Sequence, residues 1–93
     1  NKKTIKVKNL KSSRGNSIPN QFEIYDYDNN SAYFQSYNSI IVKIDRDGQV
    51  WLDEYYWDYS RTTSKYRNVF LGNTTKECLE NISNGTYKLK NLN

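Results

Sequence analysis

The sequence has no histidine and no methionine, and it contains one cysteine, one proline and four glycines. Without histidine, neither a Ser–His nor a Cys–His nucleophile pair can form within the chain. A single cysteine without histidine gives too few ligands for a tetrahedral zinc site, and it has no partner for an internal disulfide. We therefore predict a protein that is not an enzyme, with no catalytic residues, no metal ligands and no cofactor.

Long apolar stretches are missing as well. Leu, Ile, Val and Phe together make up 20 of the 93 residues, just above the roughly 20 % below which a chain is expected to be disordered. No apolar run approaches the roughly 20 residues of a membrane span, and no basic segment leads into an apolar one, so we expect no signal peptide. The sequence predicts one small domain over residues 1–93, with no membrane partner and, because its thiol is unpaired, a cytoplasmic setting.

Charge is divided along the chain. Residues 1–20 carry six basic residues and no acid, residues 21–60 carry eight acids and two basic residues, and residues 61–93 carry six basic residues and two acids. The net charge of +4 is the balance of these blocks, so we expect a divided surface rather than a uniformly basic one. Residues 1–20 read as a basic arm or strand followed by a loop. Their lysines favour either an edge strand protected from aggregation or an arm that contacts phosphates.

Period-two alternation predicts that residues 21–53 form the sheet. The longest strand candidate is Tyr33–Asp45, which places Tyr33, Tyr37 and Ile41 on one face, with a bulge or bend near Tyr37. Asp45–Gly48 reads as a hairpin turn leading into a further strand. A last strand is expected within residues 86–92.

Two short helices are predicted over residues 60–84. Ser60 or Asp58 is a suitable N-cap for a helix over Arg61–Leu71, which Gly72 ends. Thr74-Thr75-Lys76-Glu77 is a capping box that opens the second helix. Together the elements predict an α+β fold, a small antiparallel sheet of about four to five strands covered on one face by the two helices.

The first predicted helix carries a basic and aromatic stretch. Arg61 and Lys65 lie one turn apart, with Tyr66 and Arg67 beside them. Basic residues interleaved with aromatics bind phosphates and stack bases in nucleic-acid sites, and arginine and tyrosine are also enriched at protein hot spots. A solvated helix face is the third interpretation of the same pattern.

Tyrosine is concentrated in the middle of the chain, where eight of the nine lie between residues 25 and 66. In the densest stretch, Tyr55 and Tyr56 are binding candidates, while Trp57 and Tyr59 are expected to pack beneath the sheet. The outer face of the sheet is predicted to carry an aromatic patch, which is either an interface or a surface packed against the N-terminal arm. Its members are Tyr33, Tyr37, Ile41 and Trp51.

Two longer stretches, Tyr33–Ile41 and Leu52–Gly72, resemble a family of short proteins carried by bacteriophages, plasmids and integrated elements and classed as a domain of unknown function. The most specific part is Trp57-Asp-Tyr-Ser-x-Thr-Thr63 with Tyr66-Arg67. The opening Thr4–Leu10 with Arg14–Asn16 and the closing Gly85–Asn93 are also similar, so the resemblance spans nearly the whole chain. It implies a complete small protein that has lost its first Met, and it implies no activity.

The mobile-element setting of that family favours a non-enzymatic accessory protein in the cytoplasm of a bacterial host. By analogy with other phage proteins of this size, we expect it to bind a host or phage protein, as an anti-CRISPR-like inhibitor of a host factor or defence system. The alternative is a phage nucleic-acid-binding protein that uses the basic N-terminal arm and the Arg61–Arg67 helix. The candidate binding residues are Tyr33, Tyr37, Trp51, Tyr55, Tyr56, Arg61, Lys65, Tyr66 and Arg67. The sequence leaves the oligomeric state open.

Overall fold

The computed structural model describes residues 4–93. Within that range the chain forms six strands and two helices: β1 (Ile5–Lys11), β2 (Ser17–Asp26), β3 (Ser31–Ser36), β4 (Ser39–Ile44), β5 (Val50–Asp53), α1 (Arg61–Leu71), α2 (Thr75–Ser83) and β6 (Tyr87–Lys90). The strands lie in one sheet in their sequence order. The α+β class is confirmed, but the predicted count of four to five strands is too low.

The sheet is mixed rather than antiparallel. Each neighbouring pair from β1 to β5 is antiparallel, whereas β5 and β6 run parallel. The two helices between β5 and β6 carry the chain back across the sheet, so β6 enters in the same direction as β5. Alternation of apolar and polar residues cannot reveal the direction of β6, because that direction depends on where the two helices return the chain to the sheet.

The first half of the sheet also differs from the predicted pattern. Residues 17–20, predicted as loop, begin β2 and pair with the end of β1 across a register shift between Asn9 and Lys11. The long candidate Tyr33–Asp45 is two strands, because the chain turns at Tyr37, whose φ is +54°. A second shift makes Ile41 an extra residue of β4, and Ile41 and Val42 are both buried.

The helices begin and end at the residues their local sequence predicts. The Ser60 side chain caps α1 by accepting a hydrogen bond from the Thr63 amide, and Gly72 ends the helix in the left-handed conformation at φ 72°. Thr74 and Glu77 form the reciprocal capping box at the start of α2. Neither helix within residues 4–93 has the length and hydrophobicity needed to cross a membrane.

Both helices lie on the same face of the sheet. On that face Phe34 stacks on Phe70 of α1, with ring centroids 5.8 Å apart, and Ser36 lies within hydrogen-bond distance of Thr63. The buried apolar residues of the described part of the chain are few: Leu10, Phe34, Ile41, Val42, Leu52 and Cys78. Because side chains alternate along each strand, the intervening residues point to the opposite face, which neither helix covers.

Candidate functional site

Four tyrosines meet at the end of the sheet where β3 turns into β4 and β5 leads into α1. The Tyr55 and Tyr56 rings meet edge to face at 4.7 Å, and Tyr59 lies 6.0 Å and 5.3 Å from them. Tyr37 lines the same cavity as Tyr56 and Tyr59. We call Tyr37, Tyr55, Tyr56 and Tyr59 the tyrosine cluster.

Most of the tyrosine cluster is exposed. Tyr37, Tyr55 and Tyr59 are 54 %, 69 % and 61 % exposed, and Tyr56 is half-buried against the core. The prediction that Tyr59 packs beneath the sheet is therefore wrong: Tyr59 precedes the N-cap Ser60 of α1, and its side chain is exposed. Trp57 does pack against the core.

Asp53 holds the turn that carries three of these tyrosines. Its buried carboxylate accepts hydrogen bonds from the Tyr55 and Tyr56 amides at 3.1 Å and 2.8 Å, and from the Leu92 amide at 2.8 Å. Burial by itself would raise the pKa of Asp53, but these hydrogen bonds, with one from the Asn93 side chain, lower it overall. The side chain is thus an ionised anchor for the turn.

Three members of the tyrosine cluster, Tyr37, Tyr56 and Tyr59, line a cavity of about 310 Å³, and Tyr55 lies beside it against Tyr56 and Tyr59. One side of the cavity is polar where the α1 cap meets the sheet, because the Thr63 hydroxyl accepts a hydrogen bond from the Ser60 hydroxyl at 3.1 Å and lies 3.4 Å from the Ser36 hydroxyl. Ile41 supplies an apolar wall. A concave site with aromatic walls and a few hydroxyls accepts a side chain or small group of a partner.

The uncovered side of the sheet, which we call the open face, has a different chemistry. One register row crosses all six strands and contains Val7, Ile24, Tyr33, Lys43, Trp51 and Lys88. Lysines lie over its two aromatic rings, Lys43 at 5.8 Å from the Tyr33 centroid and Lys90 at 4.2 Å from that of Trp51. The row is apolar on the β1 side and basic and aromatic on the β6 side.

The predicted aromatic patch is thus divided between two sites. Tyr33 and Trp51 lie on the open face, and both are half-buried. Tyr37 and Ile41 do not join them, because the turn after β3 carries Tyr37 to the tyrosine cluster and the extra residue in β4 turns Ile41 into the core. Lys43, Lys88 and Lys90 were missed as site residues, although lysines alternating with Tyr87 and Leu89 are a readable signal for one strand face.

The basic stretch of α1 is divided as well. Arg61 and Lys65 are exposed and line a shallow polar groove with Asn68, while Tyr66 is half-buried with the Lys65 ammonium 5.3 Å from its ring centroid. Arg67 is fully buried and donates to the Trp57 carbonyl at 2.6 Å. Its guanidinium therefore cannot contact a ligand, and placing Arg67 in a binding surface is wrong.

The N-terminal basic segment forms the edge strand β1, with Lys6, Lys8 and Lys11 exposed along it. Lys2 and Lys3, the start of the predicted arm, lie outside the described residues. Across residues 4–93, no three carboxylate or thiol side chains come together as ligands for a metal ion.

Comparison with known proteins bears on the family. No curated protein and no solved structure matches the chain. One family model matches residues 5–86, which is most of the chain and includes the tyrosine cluster and the Trp57–Thr63 motif. The chain therefore belongs to this family, described as a family of unknown function (DUF8033).

Proposed function

We propose that this is a non-enzymatic protein-binding module whose tyrosine cluster docks on a host protein. In this proposal the chain is an accessory protein of a phage or other mobile element, acts in the bacterial cytoplasm and inhibits a host factor or defence system in the manner of an anti-CRISPR protein. The observation that carries the binding proposal is the group of exposed tyrosines around an aromatic-walled cavity.

Tyrosines suit such a surface for a physical reason. Each buries a large, rigid ring at small cost in side-chain entropy and keeps a hydroxyl for hydrogen bonding. Here Tyr55, Tyr56 and Tyr59 already support one another ring to ring, and Asp53 fixes the backbone of Tyr55 and Tyr56. A preformed cluster loses less freedom on binding than isolated exposed rings would.

The alternative proposal, nucleic-acid binding through the N-terminal arm and the α1 helix, has less support. Burial of Arg67 leaves Arg61 and Lys65 as the basic residues of the predicted helix surface that reach solvent. Lys6, Lys8 and Lys11 also fit the protective role of lysines on an edge strand.

The experiment compares partner capture by three forms of the chain. Wild type, Tyr55→Ser/Tyr59→Ser and the control Tyr27→Ser are immobilised and exposed to lysate of the natural bacterial host, with and without nuclease. Tyr27 is a matched control because it is 54 % exposed but lies beyond β2, outside the tyrosine cluster. We expect a protein retained by wild type and Tyr27→Ser after nuclease, and lost from the double variant.

The captured protein is then purified and titrated. Removing two hot-spot tyrosines should raise its Kd by more than about tenfold, with little dependence on salt. A partner that disappears on nuclease treatment, or that binds the double variant as tightly as wild type, would contradict the proposal.

A further inference from the structure

The open face combines three features that the tyrosine cluster lacks: breadth, aromatic rings on two strands separated by one other strand, and lysines placed over those rings. Its central row reaches from Val7 on β1 to Lys88 on β6. Tyr33 and Trp51 stand on strands separated only by β4, so their backbones are about 10 Å apart at normal strand spacing. Two flat rings on one sheet face can each take one planar group of the same extended ligand.

None of the three lysines of this face, Lys43, Lys88 and Lys90, forms an ion pair within residues 4–93, although the positive charge of Lys43 contributes to lowering the pKa of Asp26 and of Asp45. The ion pair within residues 4–93 is Arg67–Asp58, which lies on the helix side of the sheet. Lys43 instead lies over Tyr33, and Lys88 and Lys90 lie 5.8 Å and 4.2 Å from the Trp51 ring centroid. These ammonium groups are therefore free to bind an anionic ligand without first breaking an ion pair in that part of the chain.

Trp51 is held in position for such a contact. Its indole N–H donates to the Asp45 carboxylate at 3.1 Å, and that hydrogen bond is the main reason why the pKa of Asp45 is lowered. The same carboxylate accepts the Asp47 and Gln49 amides of the β4–β5 turn at 3.0 Å. Asp45 is thus committed to the turn and to one edge of the indole, which leaves the face of the ring to the lysines.

We infer that the open face is a binding site for single-stranded nucleic acid. On binding, the flexible side chains of Lys43, Lys88 and Lys90 turn from the rings to the phosphates, and bases stack on the faces of Tyr33 and Trp51 that the lysines leave. Aromatic rings on an uncovered sheet stack two or three bases in sheet-based RNA-binding modules, and each stacked base contributes substantially whatever its sequence. A duplex keeps its bases inside, so it can use the lysines but not the rings.

This site is separate from the proposed protein-binding site. The tyrosine cluster lies at the end of the sheet where α1 begins, whereas the central row of the open face is on the side opposite the helices. Neither inference requires the other. Tyr55→Ser/Tyr59→Ser should therefore bind oligonucleotide as wild type does, and variants of the open face should retain the protein partner.

The test measures binding of a labelled oligothymidylate of about 12 nucleotides, within the site sizes of sheet-based binders, by fluorescence anisotropy. Wild type should lose affinity between about 50 mM and 200 mM salt with a log–log slope of about −2, as expected for three lysines on a single strand. Trp51→Leu should weaken binding of the oligothymidylate about fivefold or more, and Trp51→Phe should bind it more tightly than Trp51→Leu but less tightly than wild type. Because both variants keep an apolar side chain, thermal melting shows whether each one folds.

A charge-matched pair of variants locates the site. Lys43→Gln/Lys88→Gln/Lys90→Gln should flatten the salt slope, whereas Lys6→Gln/Lys65→Gln/Lys76→Gln removes the same charge elsewhere and should leave the slope nearly unchanged. Several results would overturn the inference: no binding by wild type, equal weakening by both triples, a Trp51→Leu affinity equal to wild type, or equal affinity for a duplex of the same length. Tighter binding of an acidic peptide would also overturn it, in favour of a protein ligand.

Discussion

Arg67 is a charged residue whose side chain packs in the protein interior. It is fully buried, and its guanidinium lies 5.3 Å from the Trp57 ring centroid. It donates to the Trp57 carbonyl at 2.6 Å and to the Asn68 side chain at 3.0 Å, while its carboxylate partner Asp58 is half exposed at 3.4 Å. Hydrogen bonds and stacking, more than the ion pair, therefore compensate the desolvation of this cation.

We predict that Arg67→Ala lowers the free energy of unfolding by about 3 kcal/mol. The change removes a large buried side chain and leaves the Trp57 carbonyl without its donor. Arg67→Lys should lower the free energy of unfolding by less than Arg67→Ala but still measurably, because an ammonium cannot reproduce the planar stack on Trp57. Urea unfolding followed by tryptophan fluorescence measures both variants.

Arg61→Ala is the control for this prediction, because Arg61 is exposed and makes no described side-chain hydrogen bond. It should stay within about 0.5 kcal/mol of wild type. If Arg67→Ala were as stable as Arg61→Ala, the buried guanidinium would have no structural role. The sequence held a signal for that role, since Thr63, Arg67 and Phe70 recur at core-facing helical spacing, but basic residues nearby favoured a surface interpretation.

Among the secondary-structure elements, the bounds of the helices could be predicted from local sequence, whereas the register and direction of the strands could not. Ser60, Gly72 and the Thr74–Glu77 capping box act on their own helix ends, so a short window of sequence is enough to predict the bounds. The extra residue at Ile41 and the parallel entry of β6 depend on partners far along the chain. Those features set which aromatic residues share a face, so the sites could be predicted as residues but not as groups.

Tyr37 shows the same dependence in its backbone. Among residues 4–93, three non-glycine residues have positive φ, and two of them, Asn20 and Asn30, are of a type that tolerates it. Tyr37 at φ +54° does not belong to that type, and it carries an exposed ring into the tyrosine cluster. The two-residue turn between β3 and β4 requires this conformation, and a tyrosine kept there in place of glycine points to a use of its ring.

We predict that Tyr37→Gly is more stable than Tyr37→Ala by about 1 kcal/mol. Both variants lose the ring, but only glycine adopts the left-handed conformation without steric cost. The difference between the free energies of unfolding of the two variants, measured by urea titration, gives the cost of the left-handed backbone at this position. Equal stabilities of the two variants would mean that the turn relaxes without strain. Both variants should lose affinity for the protein partner, because both lack the ring.

At the scale of the whole molecule, Asp53 joins parts of the chain that are distant in sequence. Besides the Tyr55 and Tyr56 amides, its carboxylate accepts the Leu92 amide and the Asn93 side-chain amide at 2.8 Å and 3.0 Å. The Asn93 side chain also accepts a hydrogen bond from the Ile40 amide and donates one to the Ile40 carbonyl. Ile40 lies in β4 beyond the point where the neighbouring strand β5 ends, so Asn93 takes the place of a strand partner there. One buried carboxylate thus ties the C-terminal tail to the sheet and to the turn that bears the tyrosine cluster.

Asp53 should therefore make stability depend on pH in the acid range. Its pKa is lowered in the folded state, so its contribution is complete above the unfolded value of about 3.9 and is lost as the pH falls through the folded value. Asp53→Asn should lower the free energy of unfolding at pH 7 by about 2 kcal/mol, since an amide accepts these hydrogen bonds less well. Its stability should then change less than that of wild type from about pH 5 to about pH 3.

Asp47→Asn is the matched control, because Asp47 is exposed in the β4–β5 turn and its side chain accepts no hydrogen bond from residues 4–93. It should follow the wild-type curve of unfolding free energy against pH. The curves for wild type and Asp53→Asn should converge as the pH falls, because protonation of Asp53 removes the charge that the substitution removes. Parallel curves would show that Asp53 acts through packing alone. Loss of the protein partner by Asp53→Asn at pH 7, with oligonucleotide binding retained, would further tie this carboxylate to the tyrosine cluster rather than to the open face.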